Sequence, residues 1–194
     1  MKYGVFLARM QPLHKGHLHI ISTALQECDR VLVVIGSSNK SYTLRNPFPA
    51  WLRKSLLEEA LMREELDRVN IITLPDWSTE DDTDSNASWG RYLYYNIVSS
   101  IQQKNFTLFY SDDSAILDSW FNGTEVKSHI KYRLFERINL FEGLSATKIR
   151  KALQNEDFEY IEKNCPKSVV DMFDHLCLRY KRVINEPKED FSME

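Results

Sequence analysis

The feature that most constrains the fold is a repeated alternation of short β-branched runs with longer segments of helical spacing. Runs from Tyr3 to Leu7 and from Arg30 to Gly36 flank a segment, His17 to Cys28, whose apolar residues recur at helical intervals. The alternation continues with a predicted helix, strand, helix and strand: Pro49 to Leu66, Val69 to Leu74, Ser88 to Gln103 and Phe106 to Tyr110. We therefore predict an α/β fold with a doubly wound parallel sheet covered by helices on both faces.

Beyond Tyr110 the pattern is less regular, and it ends in a helical C-terminal segment. The predicted elements are a helix, two extended runs and two further helices: Ser114 to Phe121, Glu125 to Tyr132, Ile138 to Phe141, Ser145 to Gln154 and Pro166 to about Val183. Pro166 is predicted to occupy the first turn of the last helix. We expect one domain over residues 1–185 and a flexible tail over residues 186–194.

The charge balance and the cysteine usage exclude several classes of protein. With 28 acidic and 25 basic residues the net charge is -3. This charge argues against a protein whose whole surface is adapted to bind nucleic acid or an anionic membrane. Cys28, Cys165 and Cys177 are an odd number without CxxC spacing, so neither a disulfide framework nor a zinc cage is expected. No segment reaches the roughly 18 apolar residues of a membrane span. We expect a cytoplasmic protein.

An acidic stretch from Ser78 to Asn86, with the sequence STEDDTDSN, interrupts the pattern. Its low hydrophobicity predicts a mobile surface loop. The alternative is a Ca²⁺-binding loop, but the glycine and the terminal glutamate of an EF-hand are absent from their positions.

A basic segment, RMQPLHKGH, covers residues 9–17, between the first predicted strand and its helix. Ligands of parallel α/β sheets bind at the carboxyl ends of strands, and free N–H groups at a helix start favour anions. His14 and His17, three residues apart, can face the same way. Taken alone, the segment is equally compatible with a phosphate site and with an ordinary helix start. A zinc pair is disfavoured, because HExxH spacing and nearby Cys or Asp ligands are missing.

A second segment of the same kind, SATKIR, covers residues 145–150. Ser145 is a predicted N-cap, and Thr147, Lys148 and Arg150 follow in the first turns of the helix. Cations there oppose the helix dipole, so a bound phosphate would compensate them. The alternative is an ordinary capped helix with exposed basic residues. Two such segments together favour a phosphate site.

These two segments resemble the HxGH and SxTxxR signatures of the nucleotidyltransferase superfamily. Arg9-Met10-Gln11-Pro12 is similar to the GRxQP element of nicotinamide-nucleotide adenylyltransferases, both the archaeal type and the adenylyltransferase half of bifunctional proteins with a Nudix domain. Further matches to this group are Gly36-Ser37-Ser38, Leu44-Arg45-Asn46-Pro47-Phe48, and Leu74-Pro75-Asp76-Trp77 with Trp89. The matches cover residues 1 to about 155, and they imply a Rossmann-like nucleotidyltransferase fold.

The sequence also departs from the family pattern. Ala8 stands where the family usually has glycine, and Ala146 stands where Gly or Ser is common. A methyl group at such a position hinders close backbone approach to a phosphate. The interval from Asp76 to Trp89 is longer than usual because of the acidic stretch, and no Nudix signature follows.

The resemblance implies adenylyl transfer from ATP to nicotinamide mononucleotide, giving NAD and pyrophosphate. It implies catalytic roles for His14, His17 and Arg150. The implied ATP-binding residues are Arg9, Gln11, His14, His17, Ser145, Thr147 and Arg150, and the implied substrate-binding residues are Arg45, Asp76 and Trp89. Mg²⁺ would be carried mainly by ATP, without a dedicated protein site.

Several alternatives stay open at this stage. The acceptor could be nicotinate mononucleotide, pantetheine phosphate or a sugar phosphate, and a non-catalytic nucleotide-binding regulator would share the fold. Asp112 and Asp113 could reach a ribose or metal, or cap a helix. We expect Trp51, Trp77 and Trp120 to be core aromatics. The family commonly forms homo-oligomers, whereas Met172, Phe173, Leu176 and Tyr180 are expected to pack within the monomer.

Overall fold

The strands of the predicted sheet are present, and all of their pairings are parallel. The computed structural model describes residues 1–76, 85–111, 114–135 and 143–186. Its strands are β1 (Tyr3–Ala8), β2 (Arg30–Ile35), β3 (Val69–Thr73), β4 (Phe106–Tyr110) and β5 (Ile130–Leu134). They lie in the order β3-β2-β1-β4-β5. The order reverses at β1, so the crevice between the carboxyl ends of β1 and β4 is the expected ligand site.

Helices cover both faces of this sheet. In the described residues they are α1 (Lys15–Glu27), α2 (Ala50–Ala60), α3 (Arg63–Leu66), α4 (Ser85–Ile101), α5 (Ser114–Phe121), α6 (Ala146–Gln154), α7 (Phe158–Asn164), α8 (Lys167–Asp171) and α9 (Phe173–Asn185). Adjacent strand residues point to opposite faces. Phe6 packs in a cluster with α1, α2 and the helices from α6 onward, whereas Val5 packs in a cluster with α4 and α5.

Several predicted element boundaries are wrong. The single helix expected from residue 49 to 66 is two, because Leu61 adopts an extended conformation (φ -84°, ψ 141°) and buries its side chain. The last helix is also divided, into α8 and α9, and Pro166 is the N-cap of α8 instead of its first-turn residue. For the first of these breaks, burial of Leu61 overrides the local pattern.

Other predicted elements are wrong, are missing or lie outside the described residues. The extended run expected from residue 125 to 132 is a 3₁₀ turn, Lys127–His129, followed by β5. Helix α7 was not predicted, although Asp157 is its N-cap and accepts a hydrogen bond from the Tyr160 N–H. The run at residues 138–141 and most of the acidic stretch lie outside the described residues, while Ser85 and Asn86 belong to α4.

A glycine allows the two helices on one face to approach closely. A Cβ atom at Gly90 of α4 would lie only 2.0 Å from the carbonyl oxygen of Trp120 in α5, so only glycine fits this contact. The contact also brings the neighbouring Trp89 next to Trp120, with ring centroids 6.2 Å apart.

Cys28, Cys165 and Cys177 are buried free thiols. Within the described ranges, no helix has both the length and the apolar character that crossing a membrane requires.

Candidate active site

A cleft of about 460 Å³ opens at the carboxyl ends of β1, β2 and β4. The ten residues that the sequence nominated all line it: Arg9, Gln11, His14, His17, Arg45, Asp76, Trp89, Ser145, Thr147 and Arg150. They come from five separate parts of the chain, and the fold brings them together. Their individual roles stay predictions.

The turn between β1 and α1 fixes the two histidines. His14 is the N-cap of α1, and the His14 and His17 rings are stacked, with centroids 3.7 Å apart. The backbone N–H of His14 donates to Nδ1 of His17 at 3.2 Å. Because Nδ1 accepts this bond, the proton of the neutral His17 ring is on Nε2. Gly16 lies between them, and a Cβ there would make a tight contact of 3.1 Å with the His14 ring.

The SATKIR segment meets this turn from the other side. Ser145 is the N-cap of α6, as predicted, and its hydroxyl oxygen accepts a hydrogen bond from the Lys148 N–H at 3.3 Å. Arg150 Nη1 donates to the backbone carbonyl of Gln11 at 2.9 Å, and Nη2 donates to Thr147 Oγ1 at 3.3 Å. The first turn of α6 has no acidic residue, so its N–H groups and the Arg150 guanidinium present positive potential to the cleft.

The side chain of Gln11 holds a neighbouring loop in place. Its Nε2 donates to the carbonyl of Phe48, and its Oε1 accepts from the Phe48 N–H, both at 2.9 Å. Gln11 is 2% exposed. Its amide therefore anchors the segment that contains Arg45, while its backbone carbonyl is the contact to Arg150. An additional contact of Gln11 with ATP stays a prediction.

Opposite these residues, Asp76 is held by three polar side chains from the loop after β2. Ser37 Oγ donates to the Asp76 carboxylate at 3.1 Å, and Lys40 Nζ lies 3.4 Å from it. Asn39 bonds both backbone groups of Asp76, accepting from its N–H at 2.9 Å and donating to its carbonyl at 3.2 Å. We call Ser37, Lys40, Asp76 and Trp89 the Asp76 wall, and Arg9, His14, His17, Thr147 and Arg150 the cationic wall.

Aromatic side chains pack around Trp89 in the Asp76 wall. Trp89 packs against Tyr92 with centroids 5.6 Å apart and against Trp120. Burial, with a smaller contribution from the Asp76 charge, raises the pKa of the Tyr92 hydroxyl. Trp120 lines the cleft and is only partly buried, so the prediction of a core role was incomplete.

The predictions for the other two tryptophans had different outcomes. Trp51 is 63% exposed, and the prediction that it belongs to the core was wrong. The reason is its position on the outer side of α2, where the Arg179 guanidinium lies 5.9 Å from its ring. Trp77 lies outside the described residues, as do Asp112 and Asp113.

The charges in the cleft oppose the net charge of the protein. Four cations line it, Arg9, Lys40, Arg45 and Arg150, whereas Asp76 is the only acidic residue in the described part of the lining. Among the described residues, no group of three His, Cys, Asp or Glu side chains could hold a metal ion. The cleft is suited to a ligand with several negative charges.

Sequence reasoning missed Lys40 and Asn39. Both follow the carboxyl end of β2, next to β1 in the sheet, and that position was the available signal. Both residues contact Asp76, which lies on another loop, and this contact cannot be inferred from the sequence.

Comparison with known proteins agrees with this geometry. Residues 5–152 match the cytidylyltransferase-like family model. A nicotinamide-nucleotide adenylyltransferase of Thermococcus kodakarensis is 31% identical over 175 residues, covering 88% of this chain and 81% of the relative. The enzyme of the same name from Methanococcus maripaludis strain S2 is 32% identical over 173 residues, covering 88% and 87%.

A solved structure shows the same fold. It is a bifunctional NMN adenylyltransferase/ADP ribose pyrophosphatase from Francisella tularensis, complexed with AMP and a manganese ion, with a TM-score of 0.71 and 22% identity. The match covers 95% of this chain and 52% of that one, so the chain spans about half the length of the bifunctional protein. With this fold, the family match and the two archaeal relatives, the chain belongs to the cytidylyltransferase-like family and, within it, to the nicotinamide-nucleotide adenylyltransferases.

Proposed function

We propose that this protein transfers the adenylyl group of ATP to nicotinamide mononucleotide, giving NAD and pyrophosphate. The observation that supports this most directly is the meeting of the two phosphate-type segments in one cleft, with Arg150 bonded to the backbone of Gln11. A 5′-phosphate oxygen of the mononucleotide attacks the α-phosphorus of ATP. The bond from the α-phosphorus to the bridging oxygen of the β-phosphate breaks, and pyrophosphate leaves.

The cationic wall binds the triphosphate. We assign His14 and His17 to the α- and β-phosphates, and Arg9, Thr147, Arg150 and the N–H groups after Ser145 to the β- and γ-phosphates. The attacking phosphate is already ionised at neutral pH, so no protein nucleophile is required. Catalysis then depends on positioning and on stabilisation of the charge that develops on the leaving pyrophosphate.

His17 is the principal catalytic contact in this proposal. Its Nδ1 accepts the His14 N–H, so Nε2–H is the donor available for a phosphate oxygen. The stacked His14 ring limits rotation of the His17 ring. A donor fixed in this way stabilises the pentavalent α-phosphorus without reorganising.

The Asp76 wall accepts the mononucleotide. We assign Trp89 to stacking on the positively charged pyridinium ring, which an aromatic face attracts. Asp76 recognises the carboxamide N–H₂, and Arg45 binds the 5′-phosphate. Because Ser37 and Asn39 hold Asp76 from two sides, the acceptor is oriented before it reacts.

Mg²⁺ is proposed to enter with ATP. The described lining of the cleft has a single carboxylate, that of Asp76, and this carboxylate is engaged by Ser37 and Lys40. These residues fit an ion bound by triphosphate oxygens and water, which is the coordination Mg²⁺ prefers. The ion would neutralise phosphate charge, and the cationic wall would hold the complex.

One further candidate substrate is nicotinate mononucleotide. Lys40 Nζ lies 3.4 Å from the Asp76 carboxylate, so a cation is present where the acid form would place its own carboxylate. We further propose a single domain over residues 1–185 and a cytoplasmic location, on the sequence arguments given above.

The test is incubation of the protein with Mg²⁺, ATP and a panel of acceptors, with pyrophosphate release as the measurement. The panel contains nicotinamide mononucleotide, nicotinate mononucleotide, pantetheine phosphate and a sugar phosphate. We expect turnover with nicotinamide mononucleotide and formation of NAD. Turnover with pantetheine phosphate or the sugar phosphate alone would contradict the proposal, as would nucleotide binding without turnover of any acceptor.

A further inference from the structure

Arg53 is a fully buried arginine in α2, with 0% of its surface exposed. Its guanidinium donates to three backbone carbonyls. Nη1 bonds Arg9 at 2.6 Å and Gly36 at 2.8 Å, and Nη2 bonds Ser37 at 3.0 Å. Burial lowers the pKa of Arg53 to about 10, so the group stays charged at neutral pH.

These carbonyls belong to both walls of the cleft. Arg9 follows β1 and is part of the cationic wall, whereas Gly36 and Ser37 follow β2, and Ser37 holds Asp76. The single guanidinium therefore joins the backbone of one wall to the backbone of the other.

The joined segments also have unusual backbone conformations. Met10, which shares a peptide group with the Arg9 carbonyl, has φ of 52°, and Ser37 has φ of 51°. Residues other than glycine keep such conformations when their surroundings hold them there. Arg53 supplies a bond at each of the two positions.

We propose that Arg53 is a positioning residue that sets the distance between the bound triphosphate and the bound mononucleotide. This inference rests on the proposed adenylyl transfer and adds to it a residue that touches neither substrate. Displacing the reacting atoms by about 1 Å can reduce turnover about 100-fold. Each substrate alone would still find its own wall intact, so loss of Arg53 should lower kcat much more than it weakens separate binding.

Arg68 provides a matched control. It also donates to three backbone carbonyls, those of Leu25, Cys28 and Asp29. These lie at the opposite, amino end of β2, and none of them lines the cleft. Substitution of Arg68 removes the same kind of bonds without touching either wall.

The experiment compares Arg53→Lys and Arg53→Met with Arg68→Lys and Arg68→Met. Lysine keeps the charge but cannot reproduce the forked geometry of arginine. For each folded variant, urea unfolding gives stability, turnover gives kcat, and calorimetry gives Kd for ATP alone and for nicotinamide mononucleotide alone. We expect Arg53→Lys to lose about 100-fold in kcat while each Kd changes less than about threefold. The Arg68 variants should keep kcat near that of the native protein.

Several results of this experiment would overturn the proposed role of Arg53. Arg53→Lys with near-native kcat, a loss of kcat matched by weaker binding of one substrate, or an equal loss in Arg68→Lys would overturn the proposal. If Arg53→Met does not fold, Arg53→Lys decides, and a lysine variant that also fails to fold would leave Arg53 a purely structural role and overturn it. A native protein that turns over no acceptor would instead refute the proposed function.

Discussion

Arg150 donates a hydrogen bond to the backbone carbonyl of Gln11 at 2.9 Å, joining two segments separated by 139 positions in the chain. The same Gln11 is bonded through its side chain to Phe48. Helix α6 and two loops are thus linked around one residue that is almost completely buried. Neither phosphate-type segment forms its part of the cleft alone, and both depend on the fold between them.

Replacement of His17 by alanine should remove the proposed donor to the α-phosphate. Loss of one such donor costs about 2.7 to 4 kcal/mol in the barrier, or about 10²- to 10³-fold in kcat. Pyrophosphate release under saturating substrates measures this. His19→Ala is the matched control, because His19 lies on the same helix but is exposed and does not line the cleft. Near-native turnover of His17→Ala would refute the assigned role.

Trp89→Ala should raise the Michaelis constant for nicotinamide mononucleotide, because the aromatic face opposite the pyridinium ring is lost. Stacking of a cation on an aromatic ring contributes about 0.5 to 2 kcal/mol, so an increase of about twofold to about 30-fold is expected. The Michaelis constant for ATP should change little. Trp51→Ala, at a tryptophan that is 63% exposed on α2, should change neither constant. An unchanged Michaelis constant for the mononucleotide in Trp89→Ala would exclude stacking.

Lys40→Met should increase the preference for the amide acceptor over the acid acceptor. Lys40 is the cation beside Asp76, and without it the Asp76 charge repels the carboxylate of nicotinate mononucleotide. The measurement is the ratio of kcat/KM for the two acceptors. Lys54→Met removes a lysine paired with Glu58 on the surface of α2, and it should leave the ratio unchanged. A ratio that shifts toward the acid would contradict the assignment of Asp76.

Gly90→Ala should destabilise the fold by about 1 to 3 kcal/mol, the usual cost of overpacking. The new Cβ would lie 2.0 Å from the Trp120 carbonyl oxygen, so α4 and α5 must separate. Urea unfolding measures the loss. Gly36→Ala is the control for stability, since its Cβ would meet Leu7 Cδ1 at an ordinary 3.6 Å. Equal stability of the two variants would show that the helices adjust without cost.

The stability of the protein should fall above pH 9, partly because of Cys165. Burial, opposed in part by Lys15, raises the pKa of this thiol from 9.0 to about 12. Below pH 9 the thiol is protonated in both states, whereas between pH 9 and 12 the unfolded chain loses the proton and the folded chain keeps it. Folding is therefore disfavoured by roughly 1 kcal/mol per pH unit in that window. The difference in unfolding free energy between the native protein and Cys165→Ala, measured at pH 8 and pH 10.5, tests this. A difference independent of pH would contradict it.

Elements of the fold were predicted accurately where the sequence pattern that indicates them lies within one short segment. Strand β4 and helix α5 begin and end at the predicted residues, because their periodicity is complete within one segment. The break at Leu61 and the 3₁₀ turn before β5 were not predicted. Leu61 and Val126, the residue before that turn, pack against residues distant in the sequence, which is not a local signal. For the cleft, the residues nominated from recognisable motifs do line it, and their catalytic and binding roles stay predictions. Arg53 was missed, because a basic residue in a helix is usually solvent-exposed and only the structure shows its three carbonyl partners.

In the described lining of the cleft no residue comes from the helices after residue 154, and yet these helices contribute to the core beneath it. Ile161, Val169 and Leu176 pack in the same cluster as Ile20 and Val33. A chain truncated after Gln154 would contain every residue assigned to substrate binding, but the core on one face of its sheet, still covered by α1 and α2, would lose Ile161, Val169 and Leu176. The residues proposed to bind the substrates would all be present in a chain with an incomplete core, so the folding unit extends further along the sequence than the residues of the cleft.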